Sequence, residues 1–132
     1  MEKTGLGRTL SSFYMGARRE RAGGVVLITG GAGYIGSHTV RHFAEQGERV
    51  VVLDNLSTGH RELVPDPKTP LAVVDLKDRA ALDACFSEHR PKSVVHFAAR
   101  TYVGESVADP SRYYQENVIA TWNLLEALRA HA

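Results

Sequence analysis

The stretch Thr29-Gly30-Gly31-Ala32-Gly33-Tyr34-Ile35-Gly36 constrains this chain more than any other. It holds glycines as GxxGxxG at 30, 33 and 36 and as GxGxxG at 31, 33 and 36. Spacing alone is a weak signal, and the flanks make it informative. The residues before it, Val25-Val26-Leu27-Ile28-Thr29, are apolar or β-branched throughout, the pattern of a strand buried on both faces. The residues after it predict a helix over 34–46, with Ile35, Thr39 and Phe43 near one face and Gly47 as a C-terminal stop. Where a strand turns through glycines into a helix, the backbone approaches a ligand closely, and the free amides at the helix start receive a diphosphate.

The rest of the chain continues the same alternation. Apolar runs at 50–53, 71–74 and 94–97 end at Asp54, at Asp75 and at Ala98-Ala99 respectively. Between the last two runs, Leu82, Cys85, Phe86 and His89 fall at i, i+3, i+4 and i+7, the stripe of an amphipathic helix. A final helix is expected from about 110 almost to the end, with Tyr114, Val118, Thr121, Leu125 and Leu128 as its buried stripe. Pro65, Pro67 and Pro70 exclude a continuous helix over 55–70 and leave room for a single turn around 61–64. Short buried strands alternating with helices specify parallel βαβ units, whose ligands sit beyond the carboxyl ends of the strands. The fold class is therefore α/β: a Rossmann-like parallel sheet flanked by helices, incomplete, with about four strands in one domain over 24–132.

Charge and composition exclude several alternatives. A formal net charge of +1 supplies no overall field to attract nucleic acid or an anionic membrane. No run of 18 apolar residues spans a bilayer, and the single Cys85 rules out a disulfide framework within one chain, so the chain reads as cytoplasmic. Residues 1–23 differ: Lys3, Arg8, Arg18, Arg19 and Arg21 face only Glu2 and Glu20, as expected of a flexible basic N-terminal extension. His38 and His42 have the i, i+4 spacing of metal ligands but lack the zinc-protease glutamate and a third donor, so no metal site is expected. Cys85 is read as packing, and His96 as a core histidine of the fourth strand.

Asp54 completes the glycine pattern. It closes the second strand 18 residues beyond Gly36, where a carboxylate accepts the ribose hydroxyls of an adenosine. Like charge disfavours a 2′-phosphate there, so NAD is expected rather than NADP, although Arg61 in the next loop offers a phosphate a partner. An aspartate in this place is also a common turn former.

At this point the residues resemble a known family. The run from Thr29 to His38, Leu53-Asp54-Asn55-Leu56, Val95-His96-Phe97-Ala98-Ala99 and Val103-Gly104-Glu105-Ser106 are similar to the N-terminal half of the UDP-glucose 4-epimerases, which are extended short-chain dehydrogenase/reductases of the NAD-dependent epimerase/dehydratase family. The resemblance covers about residues 25–131. It implies NAD as cofactor, a UDP-sugar as substrate of the parent protein, and a homodimeric parent. It places Gly30, Gly33, Tyr34, Ile35 and Gly36 at the diphosphate and Asp54, Asn55, Leu56, Ser57, Thr58 and Gly59 around the adenine ribose. It puts Asp75-Leu76 beside the adenine, with a helix N-cap as the alternative for Asp75. Phe97, Ala98, Ala99 and Thr101 would line the cofactor, and Asn117 would approach it from the last helix, a buried amide being its alternative. One segment departs: many of these epimerases have Leu-Lys-Ala-Val-Gly-Glu-Ser where this chain has Arg100-Thr101-Tyr102-Val103, which leaves Arg100 as the candidate cation for the diphosphate.

The family's reaction also requires a tyrosine four positions before a lysine, so that the lysine's charge lowers the phenol's pKa and makes it a base. Tyr14, Tyr34, Tyr102, Tyr113 and Tyr114 are followed at that distance by Arg18, His38, Ser106, Asn117 and Val118. No catalytic residue is therefore assigned, and the chain alone is expected to be inactive. Two alternatives remain: part of another UDP-sugar epimerase or dehydratase, and a non-catalytic dinucleotide-binding module.

Overall fold

The computed structural model describes residues 23–131, so all but the last residue of the expected basic extension lies outside it. Strand β1 (Val25–Thr29) leads through the glycine turn into α1 (Tyr34–Glu45) and then β2 (Arg49–Leu53). A 3-10 turn at Arg61–Leu63 precedes β3 (Leu71–Ala72), α2 (Arg79–His89) and β4 (Pro91–His96). Two short helices, α3 (Val103–Ala108) and α4 (Pro110–Tyr113), lead into a π-helical segment (Tyr114–Ile119) that continues as α5 (Ala120–His131). The strands form one parallel sheet in the order β3-β2-β1-β4. The chain therefore reverses its direction of travel across the sheet after β3, and β4 lands on the far side of β1. A crevice opens there, above the carboxyl ends of β1 and β4.

Alternation along β1 and β2 builds a core on each face of the sheet. Val25, Leu27, Val51 and Leu53 pack with Leu82, Cys85 and Phe86 of α2 and with Leu124 and Ala127 of α5. Val26, Ile28, Val50 and Val52 pack against Val40 of α1 on the other face. This is why the strands read as continuous apolar runs: both of their faces are covered.

Four sequence expectations shift. The buried face of α1 is Gly36, Ser37 and Val40, whereas Ile35 is 64% exposed, since close packing of the helix start on β1 favours the smallest residues. The final helix buries Ala120, Leu124 and Ala127; Tyr114, Val118 and Leu125 are exposed. That helix carries two apolar stripes about one residue apart, and periodicity cannot say which one meets the sheet. The third run pairs only through Leu71–Ala72, because β2 offers partners no further than Leu53, and Val73 is exposed. His96 is exposed rather than buried, because β4 is an edge strand.

The ring of His96 has a defined hydrogen-bonding role. Its Nδ1 lies 2.6 Å from Thr29 Oγ1 and its Nε2 lies 3.1 Å from Thr121 Oγ1. Thr121 already donates its hydroxyl proton to the Asn117 carbonyl, so Nε2 carries the ring proton and Nδ1 accepts from Thr29. Partial desolvation of the ring, which packs against Thr29 although the residue as a whole is exposed, lowers the His96 pKa and favours this neutral form.

An open β4 edge makes one prediction. Its free backbone groups and half-covered Val94 and Val95 should drive association of the 132-residue chain as its concentration rises. Sedimentation velocity over a concentration series is expected to show growing species; a clean monomer at high concentration would refute it.

Candidate functional site

The crevice is a cavity of about 460 Å³. Its floor is the glycine turn. Gly30 has φ +69, a left-handed conformation that lets the chain leave β1 sharply, and a Cβ there would lie 2.6 Å from the Ala98 nitrogen. Gly33 N–H donates to the Gly30 carbonyl, closing the turn. Gly36 lies so close to that carbonyl that any side chain would overlap it. Helix α1 has Gly33 at its N-cap, with no side-chain cap and no acidic residue in its first turn. The first N–H groups of a helix have no partner within it, so this uncapped start fits an anion such as a diphosphate.

Asp54 forms the β2 side, and only 7% of it is exposed. Its Oδ2 accepts the Ala32 N–H at 3.0 Å and its Oδ1 accepts the Leu56 N–H at 2.9 Å. The carboxylate thus ties the glycine turn to the end of β2 and holds Leu56 at φ +57, a strained conformation for a residue with a side chain. Both readings of Asp54 have support: it forms an Asx turn, and it lines the cavity. Gly59 lies directly over it, where a Cβ would sit 2.9 Å from either carboxylate oxygen.

Asp75 accepts the Lys77 N–H through Oδ1 and the Asn55 side-chain amide through Oδ2. The cap of α2 is Asp78, which accepts the Ala81 N–H, so the helix-cap alternative for Asp75 fails. Phe97 begins the β4 side, its N–H donating to the Thr29 carbonyl at 2.9 Å.

Nearly all of the residues singled out from sequence meet in this one wall: the turn glycines with Tyr34 and Ile35, Asp54 and Asn55, Ser57 to Gly59, Asp75 and Leu76, and Phe97 to Ala99 with Thr101. Two do not. Leu56 is outside the wall, and so is Asn117, whose side chain accepts the Arg100 N–H at 2.8 Å and donates to the Arg100 carbonyl at 3.0 Å. Arg100 does not present a free cation to a diphosphate either, since its guanidinium is engaged by Glu116 and Glu105. Sequence reasoning missed Leu53, Val74, Tyr102, Glu116 and Ala120 in the wall. Leu53 and Val74 could have been found, because each directly precedes an aspartate already singled out.

The sheet order, the glycine turn and the cavity at its strand ends place this chain in the Rossmann class of α/β proteins. Within that class, the chain belongs to the NAD-dependent epimerase/dehydratase family, whose model matches residues 26–132. Among curated proteins it is 51% identical over 109 residues to a UDP-glucose 4-epimerase of Rhizobium leguminosarum bv. trifolii, covering 83% of this chain and 33% of that protein. A UDP-glucose 4-epimerase of Halalkalibacterium halodurans is 49% identical over 106 residues, covering 80% of this chain and 31% of the relative. Among solved structures, the Thermus thermophilus UDP-glucose 4-epimerase in complex with NAD superposes with a TM-score of 0.79 at 47% identity, over 81% of this chain and 34% of that one. The Brucella ovis UDP-glucose 4-epimerase in complex with NAD gives 0.77 at 47%, over 82% and 33%. The chain thus spans about a third of the length of the relatives it matches. No helix among the described residues is long and apolar enough to cross a membrane.

Proposed function

We propose that this chain is the NAD-binding part of a UDP-glucose 4-epimerase that interconverts UDP-glucose and UDP-galactose through a 4-keto intermediate. One observation carries the reading: a single cavity runs from Asp54 and its loop, across the uncapped start of α1, to the backbone after β4. In this reading a dinucleotide lies along it, in the order that the sheet order favours. Adenosine lies over β2 and β3, held by Asp54 and flanked by Asp75 and Leu76. The diphosphate lies over the amides of Tyr34, Ile35 and Gly36, and the nicotinamide half lies over Phe97, Ala98, Ala99 and Thr101. Arg61, the alternative partner for a 2′-phosphate, is not in the cavity wall, which favours NAD over NADP.

When bound, NAD supplies reversible hydride acceptance at sugar C4. This chain's residues bind and orient that group. The proton step needs the Tyr-x-x-x-Lys pair, which none of the chain's tyrosines completes. By itself the chain therefore holds the cofactor and does not epimerise. The parent acts in the cytoplasm as a homodimer with a UDP-sugar substrate and no nucleic-acid partner. The exposed apolar residues Val118, Ile119, Trp122 and Leu125 along the last helix support a further protein surface there.

Calorimetry tests the reading. The folded chain is expected to show saturable NAD binding, with NADP weaker, and no turnover of UDP-galactose. A flat NAD titration of folded sample would reject it.

A further inference from the structure

The segment between β4 and α3 is fixed by one residue gripped at both ends. Asn117 takes the backbone of Arg100, accepting its N–H at 2.8 Å and donating to its carbonyl at 3.0 Å. Glu116, the preceding residue, takes the side chain: Arg100 Nε donates to Glu116 Oε2 at 2.5 Å, and Arg100 Nη1 donates to Glu105 Oε2 at 3.0 Å. The Arg100 side chain is 11% exposed and that of Glu116 is 18%. Glu116 is itself steadied by Arg112 at 3.0 Å and Lys77 at 3.8 Å. Burial alone would raise the Glu116 pKa, but hydrogen bonds from Arg112 and Arg100 hold it below the ordinary carboxylate range, so the carboxylate stays charged.

Both gripping residues lie in the π-helical segment Tyr114–Ile119, where the helix departs from regular α geometry. Such segments are frequent at functional sites. What the grip holds in place is the cavity wall on the β4 side, from Ala98 through Thr101 to Tyr102. On the adenosine side, Lys77 is the link: it pairs with Glu116 of the grip and with Asp75, each at 3.8 Å, whereas the hydrogen bonds of Asp54 go to Ala32 and Leu56.

We infer that Arg100, Glu116 and Asn117 form a positioning lock, which holds the β4-side wall in the shape that accepts the nicotinamide half of the dinucleotide. The inference rests on the proposed NAD site and adds a division of labour within it. Asp54 and the glycine turn set affinity for the adenosine diphosphate half. The lock sets the extra affinity gained from the second half. Arg100 acts here through the backbone it anchors, not as a phosphate cation.

The test compares ADP with NAD by calorimetry on the full 132-residue chain, as wild type, Arg100→Met and Glu116→Gln, with circular dichroism confirming the fold. Arg100→Met leaves Glu116 paired with Arg112 and Lys77, and the Glu105 carboxylate that it releases is 49% exposed to solvent. The expected result is ADP affinity unchanged in Arg100→Met while NAD affinity falls about tenfold, the worth of one charge-assisted hydrogen bond. Glu116→Gln keeps an acceptor for Arg100 and should give a smaller loss with the same selectivity. If Arg100→Met does not fold, the NAD-to-ADP ratio in Glu116→Gln decides. Loss of both ligands in proportion, or of neither, overturns the lock. Wild type that binds NAD no tighter than ADP overturns the lock but leaves the adenosine site standing, and wild type that binds neither overturns both.

Discussion

Gly36→Ala is expected to destabilise the chain by about 3 kcal/mol, the upper end of what overpacking a tight contact costs. Helix propensity taken alone points the other way, since alanine is favoured over glycine within a helix by about 1 kcal/mol. Geometry decides the sign. A Cβ on Gly36 would overlap the carbonyl carbon and oxygen of Gly30 and the Cα of Gly31, all of them backbone, so no side chain can swing aside. Either α1 lifts off the sheet or the turn opens, and both disturb the uncapped helix start. Gly47→Ala is the control. Gly47 has φ +78 and nothing within 4 Å of a Cβ, so it should lose only about 1 kcal/mol through backbone strain. Thermal melts of the two variants check the contrast, and a Gly36→Ala protein that melts at or above wild type would show that the turn tolerates a side chain.

Asp54→Ala is expected to act on stability and binding together. It removes the acceptor of the Ala32 N–H, on a residue that is 0% exposed, and the acceptor of the Leu56 N–H. Leaving a buried donor unsatisfied costs about 1–3 kcal/mol, and the loop through Leu56 loses the contact that holds its strained conformation. For NAD, losing a charge-assisted acceptor at the ribose should weaken binding by roughly 10- to 100-fold. Melting and calorimetry on the same sample separate the two effects. A folded Asp54→Ala protein that binds NAD as wild type does would make the carboxylate purely architectural.

Much of the site is legible because its parts are local in sequence. Glycines at 30, 33 and 36 between an apolar run and a helix can do little but make a tight turn, and Asp54 stands at a strand end that the apolar run marks by itself. The triple-proline loop limits its own structure to the short turn found at Arg61–Leu63. Arg100 and Asn117 show where this stops. The family resemblance makes the first a candidate cation and the second a cofactor neighbour, yet they bind each other across 17 positions. No local pattern reports that pairing.

The sequence by itself therefore determined the α/β alternation, the glycine turn and the acidic strand end, because each depends on residues near one another along the chain. Tertiary structure alone decided the rest: which apolar stripe of the last helix meets the sheet, that β4 is an edge and His96 exposed, and that a π-helical segment holds the cavity wall through Arg100. The physical reason is that periodicity records which positions are apolar, whereas the partner of each face follows from the order in which strands pair. A hydrogen-bonded lock exists only once both of its sides have been brought together.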